Sequence, residues 1–512
     1  MKILPFLLLF VLVACERSGS PSAGKTSPSD QEIASSQSGV SDETHLSVVR
    51  VNSTLQNWSI TQPWEKNPPR RRRSLAAIVN DHHVITTAEM VADATLVELE
   101  STDGTRRARA EVANVDYEAN LALLRLADEG EVPKFFDGMK SLEIADSPPL
   151  RDTLEIVQVE DNGQSLITSG QLLSADVRAT FLPGQLFLTF RVKASMQSSA
   201  SSFSLPVFND GKLAGILSSY DAKDQISDVI ATPLISRFVM ESQKETYQGF
   251  PNLGVSISAT EDLHFRSYLK IPDTEGGIYV SKVRKGSAAD VAKIAPGDVI
   301  LSIDGKTIDR RGFYKDETYG SLPWVQLVRG NKSAGDVIRL ALWRGGQALT
   351  ADVTLSRQEE STRLVPNYQF GKAPNFLIKG GMMFQELTRP LLEAYGEEWE
   401  ARAPLNFLDA FANPEAYQAE HDRMICLTGV IPTQATMGYE SMRNLMIKKV
   451  NGKPVRNMKE LIRAFQALPI SSDAHSIEFI DENLVIYLND EMSNMIDQSL
   501  LQRGLQTLSR SE

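Results

Sequence analysis

Cysteine is almost missing from this chain: 512 residues contain two, Cys15 and Cys426. With Cys15 sitting in an N-terminal leader, no intramolecular disulfide is open to the remainder, and the fold must rest on its apolar cores. Histidine is scarce too. The six present, His45, His82, His83, His264, His421 and His475, show no metal-ligand spacing. An excess of positive charge is also lacking. Lys and Arg total 53 against 65 Asp and Glu, a net charge of -12, which excludes the basic footprint that nucleic-acid binding requires. One basic run stands against that balance, Arg70 to Arg73 in "PPRRRRS", and it reads as a solvated loop rather than a patch for anionic lipid.

The opening "MKILPFLLLFVLVACERSGS" has an apolar run from Ile3 to Ala14. That is shorter than the ~20 residues of a spanning helix, so it reads as a secretory signal. Leu12-Val13-Ala14-Cys15 resembles the lipobox of bacterial lipoproteins. The resemblance implies a signal peptide over 1–14, lipidation of Cys15, and a protein held on a membrane of the cell envelope, facing the periplasm or the exterior. Residues 15–45, rich in Ser, Gly, Pro and Thr after that Cys, read as a flexible tether.

From Leu46 the pattern becomes β. "SLAAIVN", "HHVITTAEMV" and "ATLVELES" are short apolar or alternating runs bounded by polar turns, and the style continues to about residue 245. Strands at this spacing indicate a barrel or sandwich. A new unit over 246–358 contains "APGDVILSIDGKTI", and a looser copy over 366–490 contains "RNLMIKKVNGKPV". The two align on Asp304-Gly305 and Asn451-Gly452, turn pairs that tight hairpins prefer. This is an internal duplication. The copy carries a longer insert, "EEWEARAPLNFLDAFANPEAY", then a helical "MKELIRAFQAL", and a polar tail covers 491–512.

Together these features resemble the HtrA/Deg family, most closely its plant-type branch through "FQELTRPLLEAYG". The resemblance implies a mainly β fold: a trypsin-like double β-barrel over 46–245 followed by two PDZ domains. The base motif T-N-N-H-V-V falls on Thr86 to Val91 and puts Glu89 at the base. The acid motif falls on Asp116 to Arg125 and puts Asn120 at the orienting acid. The nucleophile motif G-N-S-G-G-P falls on Ser201 to Pro206 and puts Phe203 at the nucleophile; anchoring on "NDGKLAGI" instead shifts the register and puts Ser202 there.

Acyl transfer needs a hydroxyl, a base poised near neutral pH and a group that orients the base. A glutamate titrates near ~4.3 when unperturbed, Asn120 cannot stabilise a positive charge, and Phe203 has no nucleophile. Ser201, Ser204 and Leu205 stand where the family has residues free to turn backbone N–H groups toward an oxyanion, and a Cβ resists the positive φ of such a turn. The expectation is a degenerate protease domain with no cofactor. The alternative is a divergent serine endopeptidase acting on envelope proteins through an atypical nucleophile such as Ser202.

PDZ domains take an extended peptide beside a sheet edge and its carboxylate in a loop of N–H groups. Asn252, Leu253, Gly254 and Val255 fit the family's carboxylate loop, and Ile257 follows on the strand that would line the pocket. The implied partners are protein C-termini or unfolded polypeptide segments, with homo-trimer assembly a further family trait. In the second copy Gly380-Gly381-Met382-Met383-Phe384 holds the corresponding place, with the insert expected to fill that groove.

Overall fold

The computed structural model describes residues 46–80, 82–160, 163–197, 203–330, 332–470, 472–480 and 484–511. Cys15, the tether and Ser202 lie outside the described residues. Val48–Leu55 (β1), Arg70–Val79 (β2), His83–Thr86 (β3), Ala94–Ser101 (β4), Arg107–Asp116 (β5) and Leu121–Leu126 (β6) close into a barrel in the order β1-β2-β3-β6-β5-β4. Because side chains alternate across a strand, Val49 and Val51 of β1, Ile78 of β2, Val84 of β3 and Leu124 of β6 share the interior. A second closed barrel follows, from Thr153–Val159 (β7), Ser165–Arg178 (β8), Phe187–Lys193 (β9), Leu205–Asn209 (β10), Lys212–Asp221 (β11) and Ile226–Ala231 (β12), in the order β10-β11-β12-β9-β8-β7. The helix Thr232–Ser242 then lays Leu234, Ile235 and Phe238 against Val79 and Ile85 of the first barrel and Ile216 and Ile230 of the second.

The basic run corrects the sequence reading. Arg70 to Arg73 are strand rather than loop, each paired with a residue of β1 from Leu55 back to Asn52, with all four side chains exposed. Closure of the barrel supplies β1 as a hydrogen-bonding partner, and that outweighs the preference of clustered charge for a solvated loop.

In the first C-terminal module the sheet runs from the edge strand Val255–Ser258 (β13) through Ile278–Val283 (β14) and Val299–Ile303 (β15) to Val337–Arg344 and Gln347–Thr354. The second repeats this as Met382–Glu386, Ile425–Val430, Leu445–Val450, Ala474–Phe479 and Val485–Asn489, but two further strands, Phe376–Lys379 and Ser509–Arg510, are added outside Met382–Glu386. The paired turn residues adopt left-handed backbone in both copies: Asp304 (φ 46) with Gly305 (φ 77), and Asn451 (φ 55) with Gly452 (φ 72). The insert does not enter the groove. Trp399, Phe407 and Ala410 form a core of their own against Leu392, Cys426 and Met446.

The turn between β5 and β6 ties these parts together. Asp116 Oδ2 accepts from Tyr247 Oη (2.9 Å) and pairs with Arg357 Nη1 (2.9 Å). Glu118 Oε2 lies 2.5 Å from Arg329 Nη2 of the first module, both side chains buried, and the Arg329 guanidinium also sits 4.3 Å from the centroid of the Phe187 ring. Tyr117 packs on Tyr368 and Phe370 of the segment between the modules. A buried ion pair stripped of one member leaves a charge without compensation and costs about 3–5 kcal/mol. Arg329→Met should lower the urea midpoint accordingly and open the 243–252 connection to limited proteolysis, while adding Glu118→Gln should restore part of the loss.

Candidate functional site

Strand β3 ends at Thr86, and a single 3-10 turn, Ala88–Met90, follows. Ala88 and Met90 are buried, while the Glu89 side chain reaches Arg72 of β2. Asn120, fully buried and at φ 55, a conformation asparagine tolerates better than most residues, aims Oδ1 at the backbone N–H of Glu89 at 3.2 Å. The positions aligned with base and acid are therefore joined through the main chain.

Phe203 is brought to the same place. Its carbonyl accepts from Ser74 Oγ at 2.6 Å, and its ring packs against the first-barrel core. Arg72 spans the pair: Nη1 lies 3.1 Å from Glu89 Oε2, and the guanidinium sits 5.3 Å from the Phe203 ring centroid. Burial pushes the Glu89 carboxyl above its ordinary value, with the charge and hydrogen bond of Arg72 working against that shift. Arg72 is the residue that sequence reasoning missed. A strand puts alternate residues on one face, so reading the run as strand would have singled out alternate arginines for the cleft.

Ser204 departs from expectation. It does adopt the left-handed turn, at φ 53, despite its Cβ. Such a conformation costs roughly 1–2 kcal/mol, and the hydroxyl offsets it: Oγ is 2.9 Å from Thr86 Oγ1 and accepts from Thr87 N at 3.2 Å. Its own N–H donates to Leu217 O at 2.6 Å. The Ser204 hydroxyl and N–H are thus both committed to buried partners. His82 packs at a tilt on Phe136, ring centroids 5.0 Å apart, and His83 bonds the Asn80 carbonyl, so both are held by partners other than Glu89. Among the described residues no group of three or more His, Cys, Asp or Glu is placed to hold a metal.

In the first module, Leu253 O accepts from Ala289 N and Gly254 O from Arg284 N. A trans peptide sets each N–H opposite the preceding C=O, so the N–H groups of Gly254 and Val255 point away from those partners. Gly254 lies at φ 79, and a Cβ there would come within 2.2 Å of Ser287 Cβ. Asn252 is held by its N–H on Ser356 O and its Oδ1 on Arg284 Nη2. Among the described residues strand β13 pairs on one side only, with β14, while Val255 and Ile257 are half-buried against the cluster that Trp324, Val325 and Leu327 also pack on. All five positions read from the sequence thus share one loop and one free strand edge.

The second module differs at the equivalent place. Phe376–Lys379 pairs antiparallel with Met382–Glu386 and fills the position that stays open beside β13. Gly380 and Gly381, at φ 60 and 103, form the hairpin turn between them. The carboxylate of Asp497, from the helix Asp490–Gln502, accepts the Gly380 N–H at 2.7 Å and pairs with Lys379 Nζ at 3.0 Å. Met382 and Phe384 are core.

Comparison with known proteins agrees with this architecture. Residues 251–355 and 365–511 each match a family model described as PDZ domain. The chain is 26% identical over 461 residues to Protease Do-like 2, chloroplastic, of Arabidopsis thaliana, covering 89% of this chain and 73% of that protein. It is 24% identical over 421 residues to the same plant's Protease Do-like 4, mitochondrial, covering 81% and 76%. Over 315 residues it is 24% identical to Serine protease Do-like HtrA of Bacillus subtilis (strain 168), covering 55% and 62%. The protein has an HtrA/Deg-like serine-protease fold: two trypsin-like barrels followed by two PDZ domains.

The Glu89 shift has a definite sign. A carboxyl raised in the folded state favours folding while it is protonated, and the ionised form becomes a burden as pH rises past the ordinary carboxylate range. Glu89→Gln should therefore be more stable than the parent at pH 7, with the gain vanishing as pH falls toward ~4.3. Arg72→Met should widen the gap at neutral pH. Denaturant midpoints measured from pH 4 to 8 check both.

Proposed function

We propose that the protein is a non-catalytic, HtrA/Deg-like protein of the bacterial cell envelope, lipid-anchored through Cys15, that binds protein C-termini or unfolded segments at its first PDZ domain. The observation that carries the loss of catalysis is the Arg72 bridge. At the aligned positions an ion pair and an aromatic ring stand where a base must meet a hydroxyl. The nearest described hydroxyl past Phe203, that of Ser204, is buried in bonds to Thr86 and Thr87. Binding is supported by the free edge of β13 and by the outward N–H groups of Gly254 and Val255.

Three measurements test this reading. An unfolded protein substrate incubated with residues 16–512 should give no new fragments by intact mass. Fragments that disappear with Ser202→Ala would replace this reading with that of a serine endopeptidase. A peptide with an apolar C-terminus should bind the full chain, and Gly254→Ala should weaken it at least about tenfold, about 1.4 kcal/mol. Ile257→Ser, which leaves the loop intact, should weaken it less. Cys15→Ser should move the protein from the membrane fraction to the soluble one.

A further inference from the structure

A cavity of about 1130 Å³ lies where the loop Arg284–Gly286 of the first PDZ domain, the segment 356–373 and the second PDZ domain meet. It exceeds the roughly 300–1,000 Å³ of clefts that take small molecules. Its charges are unevenly satisfied. Among the acids, Glu360 pairs with Arg363 at 2.6 Å, Asp422 with Arg456 at 2.8 Å and Glu386 with Arg423 at 3.8 Å, Glu386 also accepting from Asn375 at 3.1 Å. Lys285, Lys372 and Lys459 line the same cavity and make no ion pair among the described residues; one acid there, Glu359, is likewise without one. The uncompensated charge is therefore positive.

The cavity adjoins the carboxylate loop. Arg284 lines it, and the same side chain holds Asn252 Oδ1 at 2.9 Å. The register of β13 on β14 pairs Val255 with Val283, immediately before Arg284, so the cavity lies at the Val255 end of the open edge. A ligand whose carboxyl end is received by the loop before β13 runs with its C-terminal side toward that end.

We propose that this cavity holds an acidic polypeptide stretch that continues past the carboxylate loop, so that the first PDZ domain accepts an apolar anchor followed by glutamates or aspartates as well as a free C-terminus. The inference rests on the peptide-binding reading of that domain. The lysines supply long, adjustable charges that suit a variable acidic segment better than a fixed bidentate site.

The experiment uses the full chain from residue 16 and three labelled peptides: one ending in the apolar anchor, one with the anchor followed by a run of glutamates, and one with glutamines in their place. The glutamate peptide should bind about tenfold more tightly than the glutamine peptide at low salt. The difference should collapse in high salt and in the pair Lys285→Gln with Lys459→Gln; Lys372→Gln gives an independent, smaller loss. Equal affinity for the glutamate and glutamine peptides, with the anchor-only peptide still binding, overturns this inference and leaves the peptide-binding reading standing. No binding by any of the three overturns both. Tripolyphosphate that binds with dependence on these lysines, while the glutamate peptide neither gains affinity nor competes, replaces the polypeptide with a small polyanion and also overturns it.

Discussion

Burial of acidic side chains in one turn sets much of this structure. Asp116 and Glu118 flank Tyr117 between β5 and β6, and both carboxylates are shielded from water. An ionised carboxylate in such a place requires a partner, and the partners come from elsewhere in the chain. Arg357 lies after the last strand of the first PDZ domain, Arg329 in a short helix within it, and Tyr247 in the connection leading to it. Burial pushes Glu118 up, with Arg329 opposing, and pushes the Tyr247 hydroxyl up as well, with the Asp116 charge adding to it. Two residues after Glu118, Asn120 fixes the backbone of Glu89. The docking of the first PDZ domain and the backbone geometry at Glu89 therefore share the five residues from Asp116 to Asn120.

That shared turn gives Asn120 a structural role. Its Oδ1 holds Glu89 N–H, while its Nδ2 is buried without a well-formed hydrogen bond among the described residues, though near enough to Glu89 to lower its pKa. An asparagine suits a left-handed position and brings no second carboxylate toward Glu89. A second carboxylate beside one that burial already strains would raise the cost further.

What the sequence made legible was local. Alternating apolar runs gave strands, and Asp304-Gly305 and Asn451-Gly452 gave the repeat, because a turn of this kind is fixed by the few residues in it. The motif alignment pointed to Glu89, Asn120 and Phe203, and the structure places Asn120 on the Glu89 backbone and Phe203 beside the Arg72 that pairs with Glu89. The long-range pairings were not. Arg72 reaches Glu89 only because barrel closure makes a strand of an arginine run, and Ser204 holds a strained φ only because Thr86 and Thr87 are there to bond its hydroxyl. The tail read as polar does form a helix, Asp490–Gln502, but its last residues return as a strand, Ser509–Arg510, against Phe376 and Leu377. Nothing within so short a run of residues encodes that partner.

The two PDZ domains show how one sheet can be left open or closed by its own chain. In the first, Asn252 bonds Ser356 rather than extending a strand beside β13, and among the described residues β13 keeps an edge that pairs with no other strand, which is a template for another strand. In the second, Phe376–Lys379 adds itself to that edge, Ser509–Arg510 adds to Phe376–Lys379, and Arg510 is clamped over Trp58 at 4.2 Å and Phe376 at 5.3 Å. Asp497 secures the added strand by accepting the Gly380 N–H at the turn and pairing with Lys379. An intramolecular strand faces no translational entropy cost of association, whereas a free peptide does. A peptide would have to displace both the strand and the Asp497 carboxylate together. The duplication has therefore yielded one domain whose β13 edge meets no further strand among the described residues and one whose edge is covered by a strand of its own chain.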